Sequence, residues 1–148
     1  MRYSAVEIEQ IRTTACKNNL TAPSIFWSYS AQHLRPICNG CGAEDAPKWV
    51  RDILTWIYRH YTAAHCIHDC DFELSDGSDE SRNKANARFY DNCLLLWKNK
   101  YGFTRWINPV ALWGRKKIRL AHKALVLFSK DAWLDAYQKR LQKEVSAL

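Results

Sequence analysis

One short segment of the sequence concentrates side chains that can move protons or bind cations. Residues 64–72 read AHCIHDCDF and so contain two histidines, two aspartates and two cysteines. Neutral imidazole accepts a proton near neutral pH, and a carboxylate is a ligand for hard cations. On a helix, the consecutive residues His68 and Asp69 point about 100° apart. One of them can therefore act on a substrate while the other holds a cation beside it.

A glycine-containing stretch upstream, Asn39-Gly40-Cys41-Gly42, offers a second element for such a site. Its two glycines allow unusual backbone angles and a close approach to a ligand. Calcium prefers backbone carbonyl oxygens combined with carboxylates. Backbone oxygens of residues 39–42, combined with a carboxylate of the helix, are therefore ligands of the kind that calcium prefers.

The same region supports an alternative metal, zinc, because it is rich in nitrogen and sulfur ligands. Tetrahedral zinc is bound by cysteine thiolates and histidine nitrogens. Candidate ligands are Cys38, Cys41, His65, Cys66, His68 and Cys70. Only the pair Cys38 and Cys41 has the spacing usual in structural zinc sites. Without a signal peptide, we expect the six cysteines to be reduced thiols.

Helical periodicity dominates the rest of the chain and predicts an all-α fold. A first helix is expected over 4–18, then irregular structure over 20–46, where proline and glycine are frequent. A helical pattern starts at Lys48 and changes register near Tyr61. Further helices are expected over 79–99, 110–128 and 130–146. Asn86 lies on the apolar stripe of the helix over 79–99, where a buried amide needs a partner, and His68 is the leading candidate.

These motifs, in this order, resemble the bacterial and phage branch of the phospholipase A2 family. The resemblance rests on Asn39-Gly40-Cys41-Gly42, on Ala64-x-x-x-His68-Asp69-x-x-Phe72, and on residues 81–89, which read SRNKANARF. It covers residues 38–93. It implies a small helical phospholipase A2-like core over 38–93. The length of the chain suits a single domain over 1–148, with long N-terminal loops before the core and extra basic helices over 107–148.

The resemblance implies a calcium-dependent hydrolase of phospholipid esters. His68 would take a proton from water as general base. Asp69 would bind Ca²⁺ together with the backbone carbonyls of Gly40, Gly42 and Glu44. The amide N–H of Gly42 would donate to the developing oxyanion.

The sequence departs from the family pattern at the residue that orients the catalytic histidine. The family has an aspartate on the second helix, and the aligned residue here is Asn86. The family's tyrosine after the His-Asp pair is Phe72, its cysteine three residues before the catalytic histidine is His65, and Glu44 stands where secreted relatives have glycine. An amide stabilises a charged imidazole poorly, so the resemblance implies a hydrolase attenuated by Asn86. The alternative is a catalytically inactive relative that serves as a binding module for a membrane, a nucleic acid or a protein.

The charge of the chain is concentrated toward its C-terminus. From Trp97 to Leu148 there are twelve Lys and Arg against three acidic residues, and the whole chain carries a net charge of +7. Such a segment favours anionic partners, either an anionic membrane surface or a nucleic acid. The run Arg115, Lys116, Lys117 and Arg119 is the candidate contact. The N-terminus lacks the apolar core of a signal peptide, so we expect a cytoplasmic protein that acts at a membrane surface.

Overall fold

The computed structural model describes residues 3–38 and 47–146, apart from the side chain of Tyr58. Within these ranges the chain is all-α, as predicted, and contains no strand. The helices are α1 (Ala5–Lys17), α2 (Ser24–Ser28), α3 (Ala31–Ile37), α4 (Lys48–His60), α5 (Thr62–Glu73), α6 (Asp79–Tyr101), a 3₁₀ helix (Gly102–Trp106), α7 (Pro109–Phe128) and α8 (Lys130–Ser146).

Local capping signals set most of these boundaries. Ser4 and Glu7 form a reciprocal capping box at the start of α1. The Ser78 hydroxyl accepts from the Ser81 amide at 3.1 Å and begins α6. Asn108 caps α7 by accepting from the amide of Val110, and Pro109 occupies the first turn, where its missing N–H costs nothing.

The expectation of irregular structure over 20–46 is wrong for α2 and α3. The Ser30 side chain accepts from the His33 amide and caps α3. Pro36 lies in the last turn of α3, so its ring ends the helix and does not break a longer one. Residues 39–46 lie outside the described part of the chain.

Helix α5 lies at the centre of the fold and contributes to two hydrophobic clusters. On one side it packs with α1, α2 and α3 through residues such as Cys66 and Ile67. On the other side it packs with α4, α6 and α7 around Ala64 and Phe89. Tyr61, with φ −134° and ψ 43°, separates α4 from α5 at the point where the sequence pattern changes register. The burial of α5 explains why its polar residues must find partners inside the protein.

The described helices include none that is both long and apolar enough to cross a lipid bilayer.

Candidate functional site

His68 lies in the core, on the face of α5 that packs against α6. Its Nε2 is 3.0 Å from Oδ1 of Asn86, and both side chains are buried. The amide nitrogen of Asn86 in turn donates to Oγ of Ser129 at 3.2 Å. An amide oxygen can only accept, so His68 carries its proton on Nε2 and leaves Nδ1 unprotonated. The hydrogen bond expected between His68 and Asn86 is present.

The surroundings of His68 keep its ring neutral. The rings of Phe72 and Phe89 pack against the imidazole, and the centroid of each lies 5.0 Å from the imidazole centroid. Burial lowers the pKa of His68 to about 4, although the hydrogen bond with Asn86 acts in the opposite direction. The partner Asn86 is a neutral amide, and the nearby Asp69 charge, which also raises the pKa of His68, offsets only part of the desolvation of an imidazolium. The imidazole is therefore an uncharged proton acceptor at neutral pH.

His68 lines an apolar cleft between the helices. The cavity between its walls has a volume of about 70 Å³ and opens to solvent. Its apolar lining suits an apolar group, such as part of an alkyl chain. The lining residues are Val50, Leu54, His65, His68, Asp69, Phe72, Phe89, Ala124, Leu125, Phe128, Ser129 and Ala132. A hydrocarbon chain in this cleft would lie directly against the imidazole.

Asp69 shares the cleft and faces His65, one turn earlier on α5. Its Oδ2 is 3.4 Å from Nδ1 of His65, and both side chains are largely buried. Burial alone would lower the pKa of His65, but the charge and hydrogen bonding of Asp69 outweigh it and raise that pKa. The two residues thus form an i,i+4 ion pair when His65 is protonated. The sequence analysis did not pair them, although their spacing permitted it.

Of the predicted calcium ligands, only Asp69 belongs to the described part of the chain. Its carboxylate fits the role, because it is an oxygen donor on the wall of the cleft beside His68. Gly40, Gly42 and Glu44 lie outside the described residues, as does the oxyanion contact assigned to the amide of Gly42. Within 3–38 and 47–146, no three His, Cys, Asp or Glu side chains are arranged to hold a metal ion.

Three thiols cluster behind the cleft, where α3 ends against α5. Cys38, Cys66 and Cys70 are fully buried, and each is a free thiol. The Cys38 thiol lies 3.7 Å from the backbone oxygen of Cys66. Hydrogen bonds from the other two thiols lower the pKa of Cys38. Cys41, the remaining member of the zinc hypothesis, lies outside the described residues, so zinc stays a prediction.

The basic residues that the sequence singled out divide between two environments. The Arg115 guanidinium lies over the rings of Trp97 and Trp106, with distances of 5.6 and 5.1 Å to the ring centroids. Lys117 lies over Trp56 at 4.6 Å. Lys116 and Arg119 are exposed, and the Lys116 ammonium lies 5.4 Å from the centroid of the Trp113 ring. All four precede the cleft residues of α7, which begin at Ala124.

Ser129 is the residue of this site that the sequence analysis missed. It lies between α7 and α8, where serine ordinarily caps a helix, and no pattern in the sequence connects it with Asn86. No role was predicted for the apolar walls that α4 and α7 contribute to the cleft.

A scan against family models and searches of curated proteins and of solved structures find no match to this chain.

Proposed function

We propose that this protein is a phospholipase A2-type hydrolase of phospholipid esters, with His68 as its general base. The observation that carries the proposal is a neutral imidazole, oriented by Asn86, on the wall of an apolar cleft beside the Asp69 carboxylate. A base, a cation ligand and an apolar cleft are the parts that such a reaction needs. The proposal includes a phospholipase A2-like fold for residues 38–93.

Each residue of the site has a separate role in the proposed reaction. Nδ1 of His68 takes a proton from water, and Nε2–H continues to donate to Asn86 throughout. The phenylalanine rings and the α7 wall exclude bulk water from the acyl chain. Asp69 and the loop at residues 39–44 would hold calcium, which supplies polarisation of the ester carbonyl when bound. Because the partner of His68 is an amide, the imidazolium formed in the reaction is stabilised less than it would be by a carboxylate.

The test is calcium-dependent release of fatty acid from vesicles of phosphatidylglycerol and phosphatidylcholine. His68→Gln keeps a donor for Asn86 but removes the base, and we expect it to abolish release. His60→Gln is the matched control, because His60 is an exposed histidine at the end of α4. Release that persists in His68→Gln, or that does not need calcium, would contradict the proposal.

A second candidate function is a binding module that no longer hydrolyses its ligand. It is favoured by two observations at the same cleft: Asn86 supplies no charge to His68, and the Asp69 carboxylate faces His65. The cleft would then hold an alkyl chain without cleaving it. Binding of a fluorescent fatty acid by native protein, together with no ester cleavage by either native protein or Asn86→Asp, would favour this reading over the first.

A further inference from the structure

Helix α7 has two faces of different character. Its inner face is made of small or aliphatic residues that pack into the core, namely Ala111, Gly114, Ile118, Ala121 and Ala124. Its opposite side, called here the α7 outer face, consists of Leu112, Lys116, Arg119, Leu120, Lys123 and Leu127, all exposed. Leucines and cations are thus interspersed along a solvent-exposed surface about four turns long.

The stretch of sequence that contains this face is strongly basic. Between Asp91 and Asp131 the sequence contains no acidic residue. The same interval contains nine cations, Lys98, Lys100, Arg105, Arg115, Lys116, Lys117, Arg119, Lys123 and Lys130. None of the nine forms an ion pair with a carboxylate of the described residues. Their charge is therefore available to an external anion.

Exposed apolar side chains also lie just before α7 and in its first turn. Phe103 is 89% exposed, Ile107 is 77% exposed and Val110 is 65% exposed. At the other end of the helix, Leu127 is 69% exposed, next to the Phe128 that lines the cleft. Large aliphatic and aromatic groups on a surface, flanked by polar groups, mark an interaction site.

We propose that the α7 outer face, with the apolar residues before it, lies on an anionic lipid bilayer. The cations would contact headgroup phosphates, while the leucines and Phe103 enter the boundary between headgroups and acyl chains. A nucleic acid explains the surface less well, because exposed leucine, isoleucine and valine offer neither stacking nor hydrogen bonds to bases. The proposal does not depend on ester hydrolysis in the cleft, although Leu127 places the cleft at one edge of the membrane contact.

The experiment uses the full chain and vesicles of ether-linked phosphatidylglycerol and phosphatidylcholine. Ether lipids contain no ester, so sedimentation with the vesicles measures binding independently of any hydrolysis. We expect binding that requires phosphatidylglycerol and weakens as salt is added, because surface charges are screened. Absence of binding to these vesicles overturns the proposal, as does binding to single-stranded RNA in place of the vesicles.

The apolar part of the surface is tested by the triple variant F103S/I107S/L127S. These side chains are already exposed, so their loss should not affect folding. We expect affinity for the vesicles to fall at least about tenfold. The control V6S/V145S removes apolar residues of similar exposure, 68% and 72%, from α1 and α8, and should bind as native protein does. Equal binding by the triple variant and native protein overturns the proposal.

The basic part is tested by the double variant K116Q/R119Q. The control R51Q/R59Q removes the same charge from exposed positions on α4. Each cation near an anionic surface contributes substantially to binding, so we expect the first pair to lose about tenfold or more in affinity and the second pair to lose little. Equal losses for the two pairs would indicate attraction by net charge alone and would overturn the assignment to α7.

Discussion

Replacing Asn86 by aspartate should convert a neutral pair in the core into an ion pair. In the native protein, Oδ1 of Asn86 accepts from His68, and its amide nitrogen donates to Ser129. A carboxylate at position 86 still accepts from His68. The Ser129 hydroxyl can rotate and donate to it, so both hydrogen bonds survive the change. The variant alters the charge at residue 86 with little change in shape.

The size of the effect follows from the distance between the two groups. Opposite charges about 4 Å apart attract by about 4 kcal/mol at an effective dielectric constant of about 20. Since about 1.4 kcal/mol corresponds to one pH unit, the pKa of His68 should rise by about 3. In native protein, burial lowers that pKa to about 4. In Asn86→Asp we therefore expect a pKa near neutrality, which is where a general base works best.

The measurement is an NMR titration of the histidine ring carbons, in which the His68 signal is identified by its loss in His68→Gln. The matched control is Asn92→Asp, because Asn92 is also buried on α6 but exchanges hydrogen bonds with the backbone of Thr21 at 3.0 and 2.8 Å. That variant should lose stability and leave the pKa of His68 unchanged. If the pKa of His68 rises by less than about 1 in Asn86→Asp, or rises equally in both variants, the electrostatic reasoning is refuted.

Three further predictions concern stability. In the unfolded chain the pKa of His68 is about 6.5, whereas burial lowers the pKa in the folded protein to about 4. The free energy of unfolding should therefore fall by up to about 3 kcal/mol as the pH drops from about 6.5 to about 4. His68→Gln should flatten that decline in urea unfolding at a series of pH values, and an unchanged slope would contradict the assignment. Ser129→Ala leaves a buried amide nitrogen without its acceptor and should cost about 1–3 kcal/mol, seen as a lower Tm. Gly77→Ala should lower the denaturant midpoint of unfolding more than Gly102→Ala does. Both glycines have positive φ, but a Cβ at residue 77 would lie 2.8 Å from the Tyr137 ring, whereas a Cβ at residue 102 would meet nothing within 4 Å. Equal midpoints for the two glycine variants would show that the tyrosine simply moves aside.

The longer helices were predictable because their signals are local. The serine before Asp79, the Asn108-Pro109 pair and the periodic apolar residues each act within a few positions of the boundary that they define. The short helices α2 and α3 were not predicted, because the prolines in this region indicate irregular structure. In α3, Pro36 lies in the last turn, so it removes one intrahelical hydrogen bond and the short helix still forms before it.

The candidate site was predictable only in part. The hydrogen bond between His68 and Asn86 followed from two polar residues on apolar helical faces, each of which needed a partner. The contact of Asn86 with Ser129 spans 43 residues and depends on how α8 turns back over α6, which no local pattern encodes. The pairing of Asp69 with His65 was local and could have been read from the i,i+4 spacing.

Helix α8 has a consequence for how a ligand reaches the cleft. Within Lys130–Ser146, all of it described, Trp133 is the only buried residue, and its ring packs on Phe72 with centroids 4.9 Å apart. Apart from Trp133, α8 is held mainly by exposed contacts, such as those of Arg140 with the Leu74 carbonyl and of Lys143 with Glu73. Its free energy of local unfolding should therefore be lower than that of the core helices. Ser129 and Ala132, at its start, line the cleft and would leave with it. Opening of α8 therefore admits ligands wider than the closed cleft allows, and an occupant of the cleft should slow hydrogen exchange along α8.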